Sequence, residues 1–311
     1  MTPQNRENDP KNPEQTDKDS ATLAEENEKL KKELARTKEA LKKQEQEYRA
    51  AQKKFREIRT TIRRNYQGMV QLVIEIVSLD NRFLGGHLKR CAEMARSFGE
   101  YQQYPKDYVY LLYYSALLHD LGMVGKSASL VSKPESELSG DELSSYRSHP
   151  REGEEILKAI YNLKRTAAIV RHHHERWDGL GFPDRLAGNQ TALGARIVHI
   201  INNWDNLLYK QGYTWEEAVK QMKKDEERLY DPELLESFLY FITEWLQHHR
   251  KEESTVSLEE LKPGMLLQED VLLSNGLLLV PHGMILDAQT VGKIHSFSQM
   301  LAGKKSFRVV Y

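Results

Sequence analysis

Apolar residues recur at every seventh position in the first part of the chain, and mostly Lys, Arg, Glu and Gln lie between them. Such a period winds two helices around each other, because it keeps one apolar seam on the side that faces the partner. The sequence predicts a coiled-coil helix over residues 21–67 that pairs in parallel with a second copy; the alternative is a single solvated, charged helix. The seam consists of Leu34, Leu41, Tyr48, Phe55, Ile62 and Met69, flanked by Leu23, Leu30, Ala51 and Ile58, with Thr37 and Gln44 as polar interruptions.

The hydrophobic pattern changes on both sides of this helix. Residues 1–20 are polar and carry three prolines, which predicts disorder. Residues 68–250 follow the pattern of successive amphipathic helices joined by Gly- and Pro-bearing loops, and no alternating strand pattern interrupts them. Ser139 or Asp141 is expected to cap the helix after the first of these loops. The sequence therefore predicts an all-α domain over this range.

The last part of the chain changes character again after a charged break. Residues 254–311 contain short β-prone runs, and Asn275-Gly276 lies between two of them, which is a strong hairpin signal. A short helix and a last strand, SFRVVY, are expected to end this small β-rich module. The predicted fold class is mainly α, with a coiled-coil helix before a helical bundle and a small β-rich module after it.

Composition and charge restrict the possible partners and location. The net charge of −1 over 311 residues gives no global basic field for a nucleic acid polymer or an anionic membrane. The sequence contains no run of about 18 apolar residues, so no membrane span is expected. The first residues lack the apolar core of a signal peptide, so the expected location is cytoplasmic. The single cysteine, Cys91, is expected to be a small buried helix residue rather than a nucleophile.

Several histidines lie in contexts that suggest metal ligands. His119 and Asp120 are adjacent in LLHDLG, His149 lies in SHPREGEEIL, and HHHERWDGLGFP begins with three histidines. An adjacent His and Asp can give one metal an imidazole nitrogen while the carboxylate bridges to a second. Imidazole together with carboxylate suits Fe, Mn, Co, Ni or Zn. Each motif alone arises easily by chance, whereas their combination favours a metal site.

The order of these motifs resembles a known family. LLHDLG, KPESELSGDE, SHPREGEEIL, HHHERWDGLGFP and ARIVHIINNWDNL follow one another over residues 68–245. This arrangement resembles the HD-GYP domain, the branch of the HD superfamily that hydrolyses the bacterial messenger cyclic di-GMP. HHERWDG followed by GFP is the most specific part. Gly181, Phe182 and Pro183 stand where the family has GYP, a loop motif that could receive a signalling protein partner.

The resemblance implies an HD-type helical bundle that holds metal ions. It implies two divalent transition-metal ions, with Fe, Mn, Co, Ni and Zn not distinguished. Asp120 would bridge them and serve in catalysis. Phe83 stands where some members have a glutamate for a third metal, which favours two. The implied metal ligands are His87, His119, Asp120, His149, His173, His174 and Asn202.

Several positions depart from the family pattern. Met123 stands where a lysine usually follows the HD motif, and Asn202 replaces an aspartate that binds metal in the family. The phosphate-binding segment, usually Arg-Pro-Tyr followed by a basic residue, is Gln211, Gly212, Tyr213 and Thr214 here. Lys210 could take over the missing positive charge. The expected substrate-binding residues are therefore Lys210 and Tyr213.

These features lead to three functional hypotheses. The first is a metal-dependent phosphodiesterase that hydrolyses cyclic di-GMP to linear pGpG, with GMP as a further product in some members of the family. The second is a degenerate HD-GYP domain that acts as a non-hydrolytic signalling or scaffolding module. The third is an HD phosphohydrolase for another phosphate ester. A homodimer through the coiled coil is expected in each, and the C-terminal module is either a stabilising cap or a ligand site.

Overall fold

The computed structural model describes residues 13–249, 253–301 and 306–310. The chain divides into two compact units, Met1–Met69 and Val70–Tyr311. The described residues are mainly helical and end in a small strand module, which confirms the predicted fold class. No helix in the described part of the chain is long and apolar enough to cross a membrane.

The first helix, α1, spans Pro13–Asp80. The prediction of disorder over residues 1–20 is therefore wrong for residues 13–20, and residues 1–12 lie outside the described ranges. Proline is tolerated at the first helical position, where its missing N–H would have no helical partner, and extending an existing helix requires no new nucleus. The helix also continues beyond the predicted end at residue 67, because its last turns belong to the second unit, where Val70, Ile74 and Val77 are buried.

The second unit contains eight further helices before its strands begin. Helices α2, α3, α7 and α9 contribute most of one hydrophobic core, which includes Phe98, Leu112, Trp204 and Phe238. Ser139 caps α5 in a capping box with Glu142, as one of the two predicted alternatives. The helices are α2 Arg82–Tyr101, α3 Lys106–Leu118, α4 Ala128–Ser132, α5 Gly140–Lys158, α6 Lys164–His172, α7 Leu193–Tyr209, α8 Trp215–Lys224 and α9 Pro232–His249.

Residues 253–310, which we name the C-terminal module, belong to the same compact unit as the helical bundle. A three-stranded antiparallel sheet has the order β1-β5-β2, and β3 pairs with β4 in a hairpin. Gly276 in the hairpin turn has a φ of 83°, which explains the Asn-Gly signal because glycine adopts positive φ readily. The elements are β1 Glu253–Ser257, β2 Leu266–Leu267, β3 Val271–Leu272, β4 Leu278–Val280, α10 Ala288–Ser296 and β5 Ser306–Val310.

Candidate metal centre

The Asp120 carboxylate lies between two pairs of histidines. Its Oδ1 is 3.0 Å from Nε2 of His149 and 3.5 Å from Nε2 of His173. Its Oδ2 is 3.5 Å from Nε2 of His119 and 3.7 Å from Nε2 of His87. Each oxygen thus faces its own histidine pair, which is the arrangement of a carboxylate that bridges two cations.

Four separate helical elements bring these side chains together. His87 lies in the second turn of α2, and His119 ends α3 with Asp120 directly after it. His149 lies in the middle of α5, and His173 ends α6. The four histidines are buried. The two histidine pairs and Asp120 therefore meet in one buried cluster.

Backbone carbonyls fix the tautomer of three of these histidines. Nδ1–H of His119 donates to the carbonyl of Ala116 at 2.7 Å, and Nδ1–H of His173 donates to that of Val170 at 2.6 Å. Nδ1–H of His149 donates in the same way to Tyr146. A carbonyl can only accept, so Nδ1 carries the proton and Nε2 presents a lone pair to the cluster. This is the orientation that a metal-binding histidine needs.

The distances within the cluster fit metal ions. Nε2 of His87 and Nε2 of His119 are 3.1 Å apart, and those of His149 and His173 are 3.3 Å apart. Metal–imidazole bonds of about 2.1 Å let two nitrogens at such distances share one cation. Oδ1 of Asp120 is buried and receives no hydrogen bond from the described residues, because the facing Nε2 atoms carry no hydrogen. The lone pairs of two imidazole nitrogens thus point at a negatively charged oxygen that has no hydrogen-bond donor, and a bound cation would stabilise this arrangement.

The protonation states agree with this arrangement. Burial lowers the pKa of His119 to about 3 and holds the pKa of His174 well below its usual range. Burial alone would raise the pKa of Asp120, but the neighbouring His119 and His149 outweigh it, and that pKa lies well below its ordinary value. His119 and His174 are therefore neutral imidazoles and Asp120 is a carboxylate at neutral pH, and these are the forms that bind metal.

His174 completes the half of the cluster that contains His149. One ligand atom from each of Asp120, His149, His173 and His174 lies within 4.8 Å of the other three. The hydroxyl of Tyr146 is 3.4 Å from Nε2 of His174, in a position that the sequence analysis missed. Tyr146 lies three residues before His149 on the same helix, so helical spacing was the signal that could have found it.

The loop Gly181–Phe182–Pro183 contacts the His174 ring and the His174 backbone. The Phe182 ring stacks on the His174 ring at 4.6 Å between centroids and 17° between planes. The Phe182 N–H donates to the His174 carbonyl at 3.2 Å. A Cβ on Gly181 would lie 2.6 Å from that carbonyl oxygen, so glycine is required by close approach. The Pro183 carbonyl accepts a hydrogen bond from Arg151. A partner site at this loop stays a prediction, and the residues on either side of it, Leu180 and Asp184, are exposed.

His87 is oriented by a carboxylate that the sequence analysis did not identify. Its Nδ1–H donates to Oδ2 of Asp205 at 2.6 Å. Arg90 donates to the same carboxylate with Nε at 2.7 Å and Nη2 at 2.9 Å. The three groups are buried, and a carboxylate that accepts from the second ring nitrogen of a metal-binding histidine fixes the orientation and tautomer of its ring. Arg90, one turn after His87, hinted at such a carboxylate without identifying it.

The remaining predicted positions differ in how close they lie to the cluster. Asn202 is buried, and its Oδ1 accepts a hydrogen bond from Asn206 at 2.8 Å, so metal binding by this amide stays a prediction. Nζ of Lys210 lies 5.9 Å from the Tyr146 ring centroid. Burial lowers the pKa of Lys210, and the negative charge of Asp120 opposes this. Tyr213 is 36% exposed, and its substrate-binding role stays a prediction.

Two of the departures have local structural reasons. Met123 is only 2% exposed in the turn after Asp120, so an apolar side chain fills this position. Thr214 is the N-cap of α8 and forms a capping box with Glu217, which accounts for a hydroxyl residue there.

The Cys91 side chain packs next to the His87 ring, at similar distances from both ring nitrogens. Sγ is 3.6 Å from Nδ1 and 3.8 Å from Nε2 of His87. Nearly equal distances to both nitrogens place the sulfur along the side of the ring. Burial raises the pKa of the Cys91 thiol well above its usual range. The expected packing role of Cys91 fits these contacts.

Comparisons with known proteins agree with this centre. The family model described as HD domain matches residues 71–234. The chain is 34% identical over 158 residues to the cyclic di-GMP phosphodiesterase response regulator RpfG of Xanthomonas campestris, covering 49% of this chain and 42% of that protein. It is 31% identical to a cyclic di-GMP phosphodiesterase of Vibrio cholerae, covering 59% and 40%. It is 28% identical to the 3'3'-cGAMP-specific phosphodiesterase 2 of the same organism, covering 57% and 35%.

The chain thus spans less than half the length of these three relatives. The family match covers more than half of the chain and includes every predicted metal ligand. On this match and on the buried His and Asp cluster, the chain belongs to the HD domain family.

Proposed function

We propose that this protein is a metal-dependent phosphodiesterase that hydrolyses a cyclic dinucleotide, cyclic di-GMP in the first place, to linear pGpG. The observation that carries the proposal is the Asp120 carboxylate, whose two oxygens each face a pair of unprotonated imidazole nitrogens. The similarity to cyclic dinucleotide phosphodiesterases supports the substrate class. Such a substrate fits the cytoplasmic location expected from the sequence.

The proposed centre holds two divalent transition-metal ions. His87 and His119 would hold one, and His149, His173 and His174 would hold the other, with Asp120 shared between them. When bound there, two such ions would polarise phosphoryl oxygens and lower the pKa of water enough to make hydroxide available near neutral pH. Asp205 holds the His87 ring, while Phe182 and Tyr146 contact the His174 ring.

Positive charge near the centre would receive the phosphates. Lys210 lies over the Tyr146 ring, and the Arg147 guanidinium lies 5.5 Å from the Phe182 ring centroid. Both cations therefore approach the aromatic side chains that contact His174. Lys210 supplies a charge that Met123 does not, and Arg147 is balanced in part by its ion pair with Glu135.

Product analysis tests this function. The protein should convert cyclic di-GMP to pGpG when it is loaded with a suitable metal. Mn²⁺, Fe²⁺, Co²⁺, Ni²⁺ and Zn²⁺ are tested separately, and the products are monitored by chromatography. Lys210→Met should raise KM about tenfold or more, because a charge-assisted contact contributes about 1.5–3 kcal/mol. Lys220→Met, which removes an exposed lysine of α8, should change nothing. Metal-loaded protein that leaves the substrate intact over hours would refute the hydrolytic function, and an unchanged KM would exclude Lys210 from binding.

A non-hydrolytic signalling module is the second candidate. Buried Met123 favours it, since no cation stands at the position where the family has lysine. In this case the protein would bind cyclic di-GMP with metals present, and the nucleotide would be recovered unchanged. Including 3'3'-cGAMP and a linear phosphodiester in the same assay separates a different substrate from lost catalysis.

We also propose that α1 pairs with a second copy of itself. The seam residues from Leu23 to Met69 are exposed in the single chain, and Leu72, Ile76 and Leu79 continue the same heptad positions and are also exposed. Apolar side chains at a strict heptad period are stable when buried against an equivalent helix. The exposed apolar seam available for a parallel dimer thus extends past residue 67, the predicted end of the coiled coil, as far as Leu79.

Sedimentation equilibrium tests the pairing. The wild-type protein should have twice the 36.1 kDa mass of one chain. Replacing both Phe55 and Ile62 by lysine should produce monomers, because two charges would be buried in the seam. The paired control, Gln46→Lys with Glu57→Lys, adds charge at exposed positions outside the seam and should remain dimeric. A monomeric wild type, or a dimer that survives the seam charges, would contradict the proposal.

A further inference from the structure

We propose that the C-terminal module positions the metal ligand His87, and that Tyr209 is the positioning residue through which it acts. This inference rests on the proposed metal centre and assigns a role to residues 253–310. The contacts that carry it run from His87 to Asp205, then to Arg90, Tyr209 and the backbone of Gly283.

The inner part of this path is a buried hydrogen-bonded network. Asp205 accepts from His87 at 2.6 Å and from Arg90 at 2.7 Å and 2.9 Å. With both oxygens engaged, the carboxylate can neither rotate nor follow another partner without breaking a charge-assisted contact. The position of the Arg90 guanidinium therefore determines where Asp205, and hence the His87 ring, can lie.

Tyr209 connects Arg90 to the module. The Arg90 guanidinium carbon lies 4.0 Å from the Tyr209 ring centroid, a cation–π contact at the end of α7. The Tyr209 hydroxyl donates to the Gly283 carbonyl at 3.4 Å, and the His282 ring meets the Tyr209 ring edge at 5.2 Å between centroids. One face of the phenol thus touches the metal-site network while its end touches the module.

Gly283 has no room for a side chain because of Tyr209. It has a φ of 73°, and a Cβ there would lie 2.0 Å from the Tyr209 hydroxyl oxygen. A cavity of about 90 Å³ adjoins Arg90, Asp205, Tyr209 and Gly283. A Cβ on Gly283 would therefore displace the Tyr209 ring into this space rather than simply unfold the module.

The module is also fixed to the helix that carries His87. Lys89 donates to the Leu278 carbonyl at 3.1 Å, and Nε of Arg82 donates to Asp270 at 2.8 Å. Arg96 donates to Asp287 at 2.8 Å. The module thus contacts α2 near both ends, and its Gly283 contact is held at a fixed place relative to His87.

Metal binding to the full chain tests this role. Gly283→Ala should weaken the affinity for one of two Co²⁺ ions about tenfold. This is the lower limit of the loss expected when a residue that positions a metal ligand is disturbed. The variant should also have an altered Co²⁺ d–d spectrum. Gly276→Ala is the matched control, since Gly276 also has positive φ in the module but its Cβ would meet open space. It should lose similar thermal stability while both affinities stay unchanged.

A double-mutant comparison tests Tyr209 as the intermediary, and Tyr209→Leu alone tests it if Gly283→Ala fails to fold. Tyr209→Leu removes the ring and should weaken the same Co²⁺ ion about tenfold. Adding Gly283→Ala to it should change that affinity less than twofold, because both act through one contact. Additive effects, or wild-type affinity in either single variant, would overturn the role of Tyr209. A wild type that binds no metal would refute the metal centre itself.

Discussion

Replacing Asp120 by alanine should abolish both the metal centre and hydrolysis. One carboxylate serves both histidine pairs, since Oδ1 faces His149 and His173 while Oδ2 faces His119 and His87. We expect both metal affinities to fall at least about 100-fold, beyond the upper range for groups that only support a ligand. Turnover should fall at least about 1000-fold, because metal polarisation supplies several kcal/mol and about 1.4 kcal/mol corresponds to a factor of ten.

Metal analysis and steady-state kinetics check this expectation together. Asp107→Ala, which removes an exposed aspartate from the first turn of α3, should retain metal and activity. Circular dichroism should confirm that the Asp120 variant keeps its helices, since the carboxylate is not part of the hydrophobic core. A variant with two tightly bound ions, or with more than a tenth of the wild-type rate, would show that Asp120 does not bridge.

The metal-free protein should lose stability as the pH falls from 6.5 to 5. Burial lowers the pKa of His119 to about 3 and that of His199 to about 4, both below the ordinary value of 6.5. Below pH 6.5 the unfolded chain takes up these protons, while the folded chain stays neutral at both sites until the pH approaches the lowered values. The unfolded state therefore binds more protons in this window, and stability decreases by roughly 1.4 kcal/mol per pH unit for each histidine.

Urea unfolding of chelator-treated protein at several pH values measures this slope. His199→Asn should reduce the slope by the share of one histidine, whereas His295→Gln, at an exposed position, should leave it unchanged. Added metal should restore stability at pH 6.5, because it binds only the neutral imidazoles of the folded cluster. A metal-free protein whose stability is flat between pH 6.5 and 5 would contradict the neutral state of the buried histidines.

The centre keeps the histidines and the aspartate that the resemblance implied, whereas its surroundings depart from the family pattern. The histidine pairs and Asp120 meet as the resemblance implied, whereas Met123 is buried and Gln211 is exposed. Positive charge near the centre comes instead from Lys210 and Arg147, which approach the aromatic rings beside His174. Product analysis with cyclic di-GMP separates catalysis from binding, and the KM of the Lys210 variant tests whether this cation contacts the substrate.

The sequence by itself determined the features that depend on local pattern. The helical and strand-rich segments follow from hydrophobic periodicity, and the hairpin at Asn275-Gly276 follows from the positive φ that its turn requires. The proposed histidine ligands follow from the order of motifs that resembles the HD-GYP domain, and they lie on four separate helical elements. Local pattern misjudged residues 13–20, since a polar segment can extend a helix that already exists.

Only the tertiary structure decided how these residues are held. Asp205 meets His87 across 118 positions, and Arg96 meets Asp287 across 191. The stack of Phe182 on His174 and the seat of Tyr209 against Gly283 likewise depend on how separate elements pack. No local periodicity specifies such pairs, because many buried partners are compatible with one hydrophobic pattern and packing selects among them. The sequence therefore indicated the proposed ligands, whereas the fold determined their orientation and the attachment of the C-terminal module.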